Sequence, residues 1–287
     1  MFENEIVKGC LENRSFLPEW TFSAGLSRGL LIGNPVDKSI SHITHNRIFQ
    51  TLGINAIYEK KLINIEVFED ELKSLLRKDY LWIAVTMPFK EKIIPFLDQL
   101  DISAELIGAV NMIHNVEGKW VGYNTDGSGC LNAIESKRRV KDKIVVVLGA
   151  GGAAKAIIYE AKRRGANVIV LNRTFEKAKL LAKRFNADVS KMLPSEYDIL
   201  INATSVGMLG QKNNSCFSLD DISPSALVMD VIYSPRVTKL ISHAQSRGCE
   251  TVLGSEMFAE LTFLQLQQVF GKQVSKEICS KIISQSL

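Results

Sequence analysis

The chain has 287 residues, 46% hydrophobic and 23% charged, the balance of an ordinary globular protein with material for one large or two modest cores. Its 35 Lys and Arg outnumber its 31 Asp and Glu by only four, and no basic block is interleaved with aromatics, so nucleic acid is not an expected partner. No uncharged apolar run approaches the ~18 residues of a membrane span, and Glu3, Glu5 and Lys8 do not suit a secretory leader, so a cytoplasmic location without membrane partners is expected.

Residues 1–27 show weak periodicity and read as an extension. From Leu30 the pattern alternates: a strand at 30–32, a helix at 43–52, a strand at 56–62, an amphipathic helix at 67–76 and a strand at 81–85. Pro88 is placed to open a helix containing Ile93, Ile94 and Leu97, which Pro95 would kink or shorten. Apolar segments at 110–113 and 120–123 flank Val116-Glu117-Gly118-Lys119, a hairpin turn by composition. Asn124-Thr125-Asp126 then opens a helix through Ile134, with Thr and Asp offering cap chemistry. Further strands are expected at 168–171, 199–202, 227–231 and 251–253, and helices at 256–268 and 274–283. Strand–helix alternation of this kind defines an α/β chain.

The densest signal is central. The apolar run Ile144-Val145-Val146-Val147-Leu148 leads into Gly149-Ala150-Gly151-Gly152-Ala153 and a helical stretch, then Val168 to Leu171 and Asn172-Arg173-Thr174. A buried parallel strand needs a continuous apolar run, glycines permit close backbone approach, and the following helix offers its first amides to a pyrophosphate. An acidic residue at the second strand's end would favour NAD; here Arg173 can make a bidentate contact with a 2′-phosphate, with Asn172 and Thr174 beside it, so NADP is the expected cofactor. The five cysteines, Cys10, Cys130, Cys216, Cys249 and Cys279, are scattered without a CxxC or a His/Cys cluster, so reduced thiols and no metal are expected.

Three front stretches fall into order with this unit: Gly33-Asn34-Pro35-Val36-Asp37-Lys38-Ser39-Ile40-Ser41-His42, Val85-Thr86-Met87-Pro88-Phe89-Lys90, and Gly108-Ala109-Val110-Asn111 with Gly122-Tyr123-Asn124-Thr125-Asp126. Together with Asn202-Ala203-Thr204-Ser205 and Asp230-Val231-Ile232-Tyr233-Ser234-Pro235, they resemble the shikimate dehydrogenase family from about residue 28 onward. The spelling Asp37-Lys38-Ser39 looks most like the dehydrogenase half of fused dehydroquinase/shikimate dehydrogenase proteins, while the chain is too short for the other half. The resemblance implies an N-terminal α/β substrate domain (28–127, rejoined by 256–287) and a Rossmann-like NADP-binding domain (128–255), with the C-terminal helices returning to the first. It further implies NADP-dependent reduction of 3-dehydroshikimate to shikimate, a step toward aromatic amino acids, by a monomer or homodimer.

By that resemblance Lys90 and Asp126 are catalytic, Lys90 as acid and electrostatic group and Asp126 as its orienting partner. Ser39 and Ser41 match ligands of the substrate carboxylate, their alternate spacing suiting an extended loop; Thr86, Asn111 and Tyr233 match other substrate contacts. Gly149, Ala150, Gly151, Gly152, Ala153, Asn172, Arg173, Thr174, Thr204, Val231 and Gly254 match the cofactor site. His45 reads as structural, and His42 is assigned no role. Ala84 and Met112 depart from the family spelling at positions expected to face packing. A sharper departure is Leu261, where the family carries a glutamine that binds substrate hydroxyls; Gln265, one turn along the same helix face, is the expected substitute. Leu261 leaves a quinate or quinate/shikimate dehydrogenase as an alternative, and a non-catalytic NADP-binding regulatory protein is the alternative of another class.

Overall fold

The computed structural model describes residues 25–208 and 217–287; the stretch 1–24, Cys10 and Cys216 lie outside them. The front half builds a six-stranded mixed sheet from β1 (Ser27–Gly33), β2 (Ala56–Leu62), β3 (Trp82–Val85), β4 (Gln99–Leu100), β5 (Met112–Val116) and β6 (Lys119–Tyr123), in the order β2-β1-β3-β5-β6-β4. β1 takes in Ser27, the last residue of the stretch read as an extension. β2 and β3 run parallel to β1, connected through α1 (Ser41–Leu52) and α2 (Phe68–Leu76), whereas β5 and β6 form an antiparallel hairpin. Its turn places Glu117 (φ 52°) and Gly118 (φ 81°) in the left-handed region, as a tight hairpin turn requires.

Because alternate residues of a strand face opposite ways, the run Leu30-Leu31-Ile32 serves two cores. Leu30, Ile32, Ile83 and Val85 pack with Phe68, Leu72 and Leu75 of α2. Leu31, Trp82, Ala84 and Met112 pack with Ile48 and Phe49 of α1 on the other face. The expected helix after Pro88 is corrected: residues 88–93 form turns, and only a 3₁₀ turn follows at Ile94–Phe96, with Pro95 in its first positions. Pro95 has no amide to donate, its ring crowds the carbonyl four residues back and it disfavours the helical conformation at Ile94, so a regular helix cannot run through it.

The second sheet comprises β7 (Ile144–Leu148), β8 (Asn167–Leu171), β9 (Asp188–Ser190), β10 (Ile199–Asn202), β11 (Leu227–Asp230) and β12 (Glu250–Val252). All its pairings are parallel and the order is β12-β11-β10-β7-β8-β9, the doubly wound arrangement whose order reverses between β7 and β10. Helices α5 (Gly152–Arg163), α6 (Phe175–Phe185) and α7 (Lys239–Ser246) connect the strands; α3 (Ile102–Ile107) and α4 (Asp126–Glu135) precede them.

The C-terminal helices α8 (Gly254–Phe270) and α9 (Lys276–Ser286) tie the halves together. Met257, in the first turns of α8, packs in the core of the parallel sheet, whereas Leu266, Val269, Phe270 and, on α9, Cys279 and Ile282 pack on the front sheet. α4 lies between, and two glycines let it approach both neighbours: a Cβ on Gly127 would lie 2.3 Å from the Ala156 carbonyl oxygen of α5, and one on Gly129 would lie 2.9 Å from the Leu261 Cβ of α8. Cys130, Cys249 and Cys279 are free and buried. Among the described residues no helix is long and apolar enough to cross a membrane.

Candidate active site between the two sheets

A cleft of about 880 Å³ opens between the C-terminal ends of the parallel strands and the front sheet. Its floor on the front side holds Lys90 and Asp126. The Lys90 ammonium donates to Asp126 Oδ2, and the side chains are only 17% and 6% exposed, so the pair meets in a largely dry setting. Asp126 Oδ1 accepts from Asn111 Nδ2 at 2.8 Å. That amide also reaches Thr125 Oγ1 at 3.0 Å, while Asn111 Oδ1 accepts from the Thr125 amide at 2.9 Å. Gln265 Nε2 on α8 donates to the same threonine hydroxyl at 3.3 Å, closing a polar chain Lys90–Asp126–Asn111–Thr125–Gln265.

The expected capping of α4 is corrected here. Thr125 makes no side-chain cap, and the carboxylate of Asp126 points to Lys90 and Asn111; Asn124 Oδ1 instead accepts the Asp126 amide at 3.0 Å. Asn124 is itself anchored by donation to the Ala109 carbonyl at 2.8 Å. The aspartate is thereby released from helix duty for work in the cleft.

Ser39 and Ser41 converge, their hydroxyl oxygens 3.0 Å apart, but not on an extended loop as expected: Ile40 between them has φ −94° and ψ 0°, and Ser41 is already the first residue of α1. The Ser41 amide donates to Ser39 Oγ, so the turn itself aims both hydroxyls. Across the cleft Tyr233, stacked on Phe258 at 4.9 Å, reaches Ser39 Oγ at 3.5 Å, the meeting of the two halves at this end. Burial pushes the Tyr233 phenol above its ordinary range, so it stays neutral. Thr86 lines the same wall, its methyl fixing Gly33 as the facing residue: a Cβ there would lie 2.2 Å from Thr86 Cγ2. Leu261 and Gln265 both line the cleft, as their shared helix face predicts. Ala84 and Met112 are buried in the front core, and Ala84 also touches the cleft.

His45 is fully buried, stacked 4.2 Å from Tyr58, and burial lowers it to about 4, so it is neutral. That fits its reading as structural.

On the other side, Gly149 follows β7 with φ 118°, a conformation L side chains rarely adopt, and turns the chain into α5. α5 starts with no side-chain cap at Gly151 and no acidic residue in its first turn, so its leading amides and positive dipole end face the cleft unneutralised. Those features suit a dinucleotide diphosphate. Gly149, Ala150, Gly151, Gly152, Ala153, Asn172, Thr204, Val231 and Gly254 line the cleft. Arg173 and Thr174 lie exposed just beyond its lining at the end of β8, where Asn172 Nδ2 donates to the Thr174 carbonyl at 2.9 Å.

Two features carry no role in the sequence reading. Asp230, fully buried at the end of β11, accepts from Thr238 Oγ1 (2.7 Å), Asn202 Nδ2 (3.1 Å) and the Ile232 amide (3.1 Å), fixing the turn that delivers Tyr233. Burial raises it to about 6 despite those donors. Glu91, beside Lys90, pairs with Lys155 of α5 at 2.7 Å and so joins the two halves at the cleft floor. The first stands in the sequence as a lone carboxylate within the apolar run 227–231; the second had no local signal, since its partners are 64 positions apart.

A doubly wound parallel sheet facing a separate α/β module across such a cleft defines a two-domain, dinucleotide-type α/β protein. Residues 31–113 match the shikimate dehydrogenase substrate binding domain, and residues 132–240 match the shikimate / quinate 5-dehydrogenase family. The chain is 45% identical over 231 residues to a shikimate dehydrogenase (NADP(+)) of Pyrococcus furiosus, spanning 78% of this chain and 83% of that one. It is 36% identical to the bifunctional 3-dehydroquinate dehydratase/shikimate dehydrogenase of Arabidopsis thaliana, over 88% of this chain and 45% of that protein. Its fold superposes on a Thermus thermophilus shikimate 5-dehydrogenase solved with NADP(H) and shikimate at a TM-score of 0.83, with 29% identity, covering 91% of this chain and all of the other. The chain belongs to the shikimate dehydrogenase family.

Proposed function

We propose that the chain catalyses the reversible NADP-dependent reduction of 3-dehydroshikimate to shikimate. The observation that carries this reading is the Lys90–Asp126 pair on the floor of a cleft, with an uncapped helix N-terminus on one side and a converged serine pair on the other. When bound, the nicotinamide supplies or accepts the hydride at the ring carbon bearing the oxygen.

Reduction of the ketone builds negative charge on its oxygen, and Lys90 Nζ is the cation placed to meet it and to pass it a proton. In the oxidative direction the same nitrogen takes the hydroxyl proton. Asp126 holds the ammonium, and Asn111 holds Asp126, so the donor is oriented before substrate arrives. Ser39, Ser41 and Tyr233 bind the carboxylate end; Thr86, Asn111 and Gln265 face the ring hydroxyls. The glycine turn from Gly149 to Ala153 takes the diphosphate, with Thr204, Val231 and Gly254 further along the cofactor path. Asn172, Arg173 and Thr174 at the rim take the 2′-phosphate. Residues 28–127 with 256–287 act as the substrate domain and 128–255 as the cofactor domain.

Leu261 favours one second reading. An aliphatic group in the cleft removes a hydrogen-bond partner for a ring hydroxyl, which suits a ring of altered hydroxyl pattern such as quinate. Purified protein supplied with shikimate or quinate and either NADP+ or NAD+ tests both. NADPH formation with shikimate supports the proposal, quinate with NAD+ supports the second reading, and silence equal to that of Lys90→Ala ends both.

A further inference from the structure

The serine pair at the mouth of the cleft is neutral, and the charge behind it comes from β2. Alternation along that strand sends Glu59 and Lys61 to partners of their own, Arg28 and Glu71. Lys60 points the other way, toward the turn that carries Ser39. Its ammonium donates to the Asp37 carbonyl at 2.7 Å and to the Ser39 carbonyl at 3.1 Å. Among the described residues no carboxylate lies within ion-pair distance of it. The cation is half-buried, so its field is only partly screened by water. In the first turn of α1, burial first and then that field disfavour the charged form of His42.

We propose that Lys60 is the positioning and charge-selecting residue of this cleft: it clamps the Ser39 turn through two carbonyls and supplies positive potential that makes the serine pair selective for carboxylates. The geometry explains the division of labour. Two hydroxyls give direction but little charge discrimination, whereas a lysine tied to neutral carbonyls keeps its full charge available to a nearby anion. Lys60 lies behind the residues that line the cleft and acts through Ser39. The inference deepens the proposed function and rests on its placement of the substrate carboxylate at Ser39 and Ser41.

The test compares Lys60→Met, which keeps the apolar stem, and Lys60→Arg, which keeps the charge, in the full chain. Steady-state constants are measured for shikimate, and inhibition constants for its neutral methyl ester. The expected result for Lys60→Met is a KM for shikimate raised about tenfold, the scale of a partly screened unit charge several ångströms away. The KM for NADP+ and kcat change less than about threefold, the ester's inhibition constant barely moves, and Lys60→Arg recovers most of the loss. Lys38→Met, on the exposed part of the same turn, changes the shikimate KM by less than Lys60→Met does. An unchanged shikimate KM in Lys60→Met overturns the inference. So does an equal loss for acid and ester that Arg fails to restore, since that marks turn packing without charge selection. Unaltered NADP+ affinity confirms that each variant is folded. A wild-type protein that fails to turn over shikimate refutes the underlying reading, an outcome separate from an active wild type with an indifferent Lys60→Met.

Discussion

Replacing Lys90 by Met separates what the ammonium does for the reaction from what the stem does for the fold. The stem runs close to the glycine turn, where a Cβ added to Gly152 would stand 3.4 Å from Lys90 Cβ and Cδ, and Met keeps most of that stem. What disappears is the donor to Asp126, whose side chain is 6% exposed. Loss of a positioned proton donor costs about 10²–10⁴-fold in rate. Loss of the partner of a buried carboxylate costs roughly 3–5 kcal/mol when the pair is fully buried. Asn111 still donates to the Asp126 carboxylate, and Lys90 is 17% exposed, so about 1–3 kcal/mol is expected here. Adding Asp126→Asn removes the orphaned charge and should return most of that stability without returning activity. The assay pairs initial rates of NADPH formation with denaturant unfolding of wild type, both single variants and the double. Activity of Lys90→Met within tenfold of wild type would refute the assignment of the proton donor; a double variant less stable than Lys90→Met would refute the account of the buried charge.

Arg173→Ala should raise the KM for NADP+ by about tenfold or more while leaving that for NAD+ nearly unchanged, because a charged bidentate contact is worth about 1.5–3 kcal/mol and serves the 2′-phosphate alone; equal effects on both cofactors would place the phosphate elsewhere. Leu261→Gln should lower the shikimate KM if the ring hydroxyls face this turn of α8, by up to about tenfold for one added hydrogen bond, and a raised KM would show that the aliphatic group packs on the ring. Asp230 predicts a pH dependence of stability. Its folded value of about 6 lies above the ordinary aspartate value, so the folded state holds the proton more tightly; the contribution is complete below about pH 4 and is lost as pH rises to about 6. The loss is on the order of 3 kcal/mol. Asp230→Asn should flatten unfolding free energies across that window, and an unaltered slope would assign it to another group.

Strands buried on both faces were the most legible elements, since β7, β10 and β11 require unbroken apolar runs that no loop would carry. The short edge strands β4 and β9, of two and three residues, left no periodicity to read. The span after Pro88 misled because Ile93, Ile94 and Leu97 have helical spacing while the prolines decide the backbone. At the site, motif order brought Lys90, Asp126, Ser39 and Ser41 together in advance, but the reasons differ from those expected. Asp126 is free for Lys90 because Asn124, not Thr125, satisfies the helix start. Lys60 was silent because its partners are carbonyl oxygens, which a sequence does not distinguish from any others.

The cleft is joined unequally at its two ends. At the floor, Glu91–Lys155, the close approach of Lys90 to Gly152, the packing of Ile107 and Ala109 on Ala156, and donation from Arg184 Nη2 to the Leu106 carbonyl at 2.8 Å form a continuous seam. At the mouth the halves meet through Tyr233 and Ser39 at 3.5 Å, a long hydrogen bond that a ligand hydroxyl or carboxylate can replace at small cost, and through the small apolar cluster that holds Ile40, Tyr233 and Phe258. Parting of the halves at the mouth would therefore leave Lys90 beside the glycine turn while separating the Ser39 turn from Tyr233. On the proposed function, the proton donor and the cofactor loop would then stay in register while the carboxylate end varies. This asymmetry suits a reaction in which hydride geometry must be kept within fractions of an ångström but the polar ring enters and leaves with each turnover.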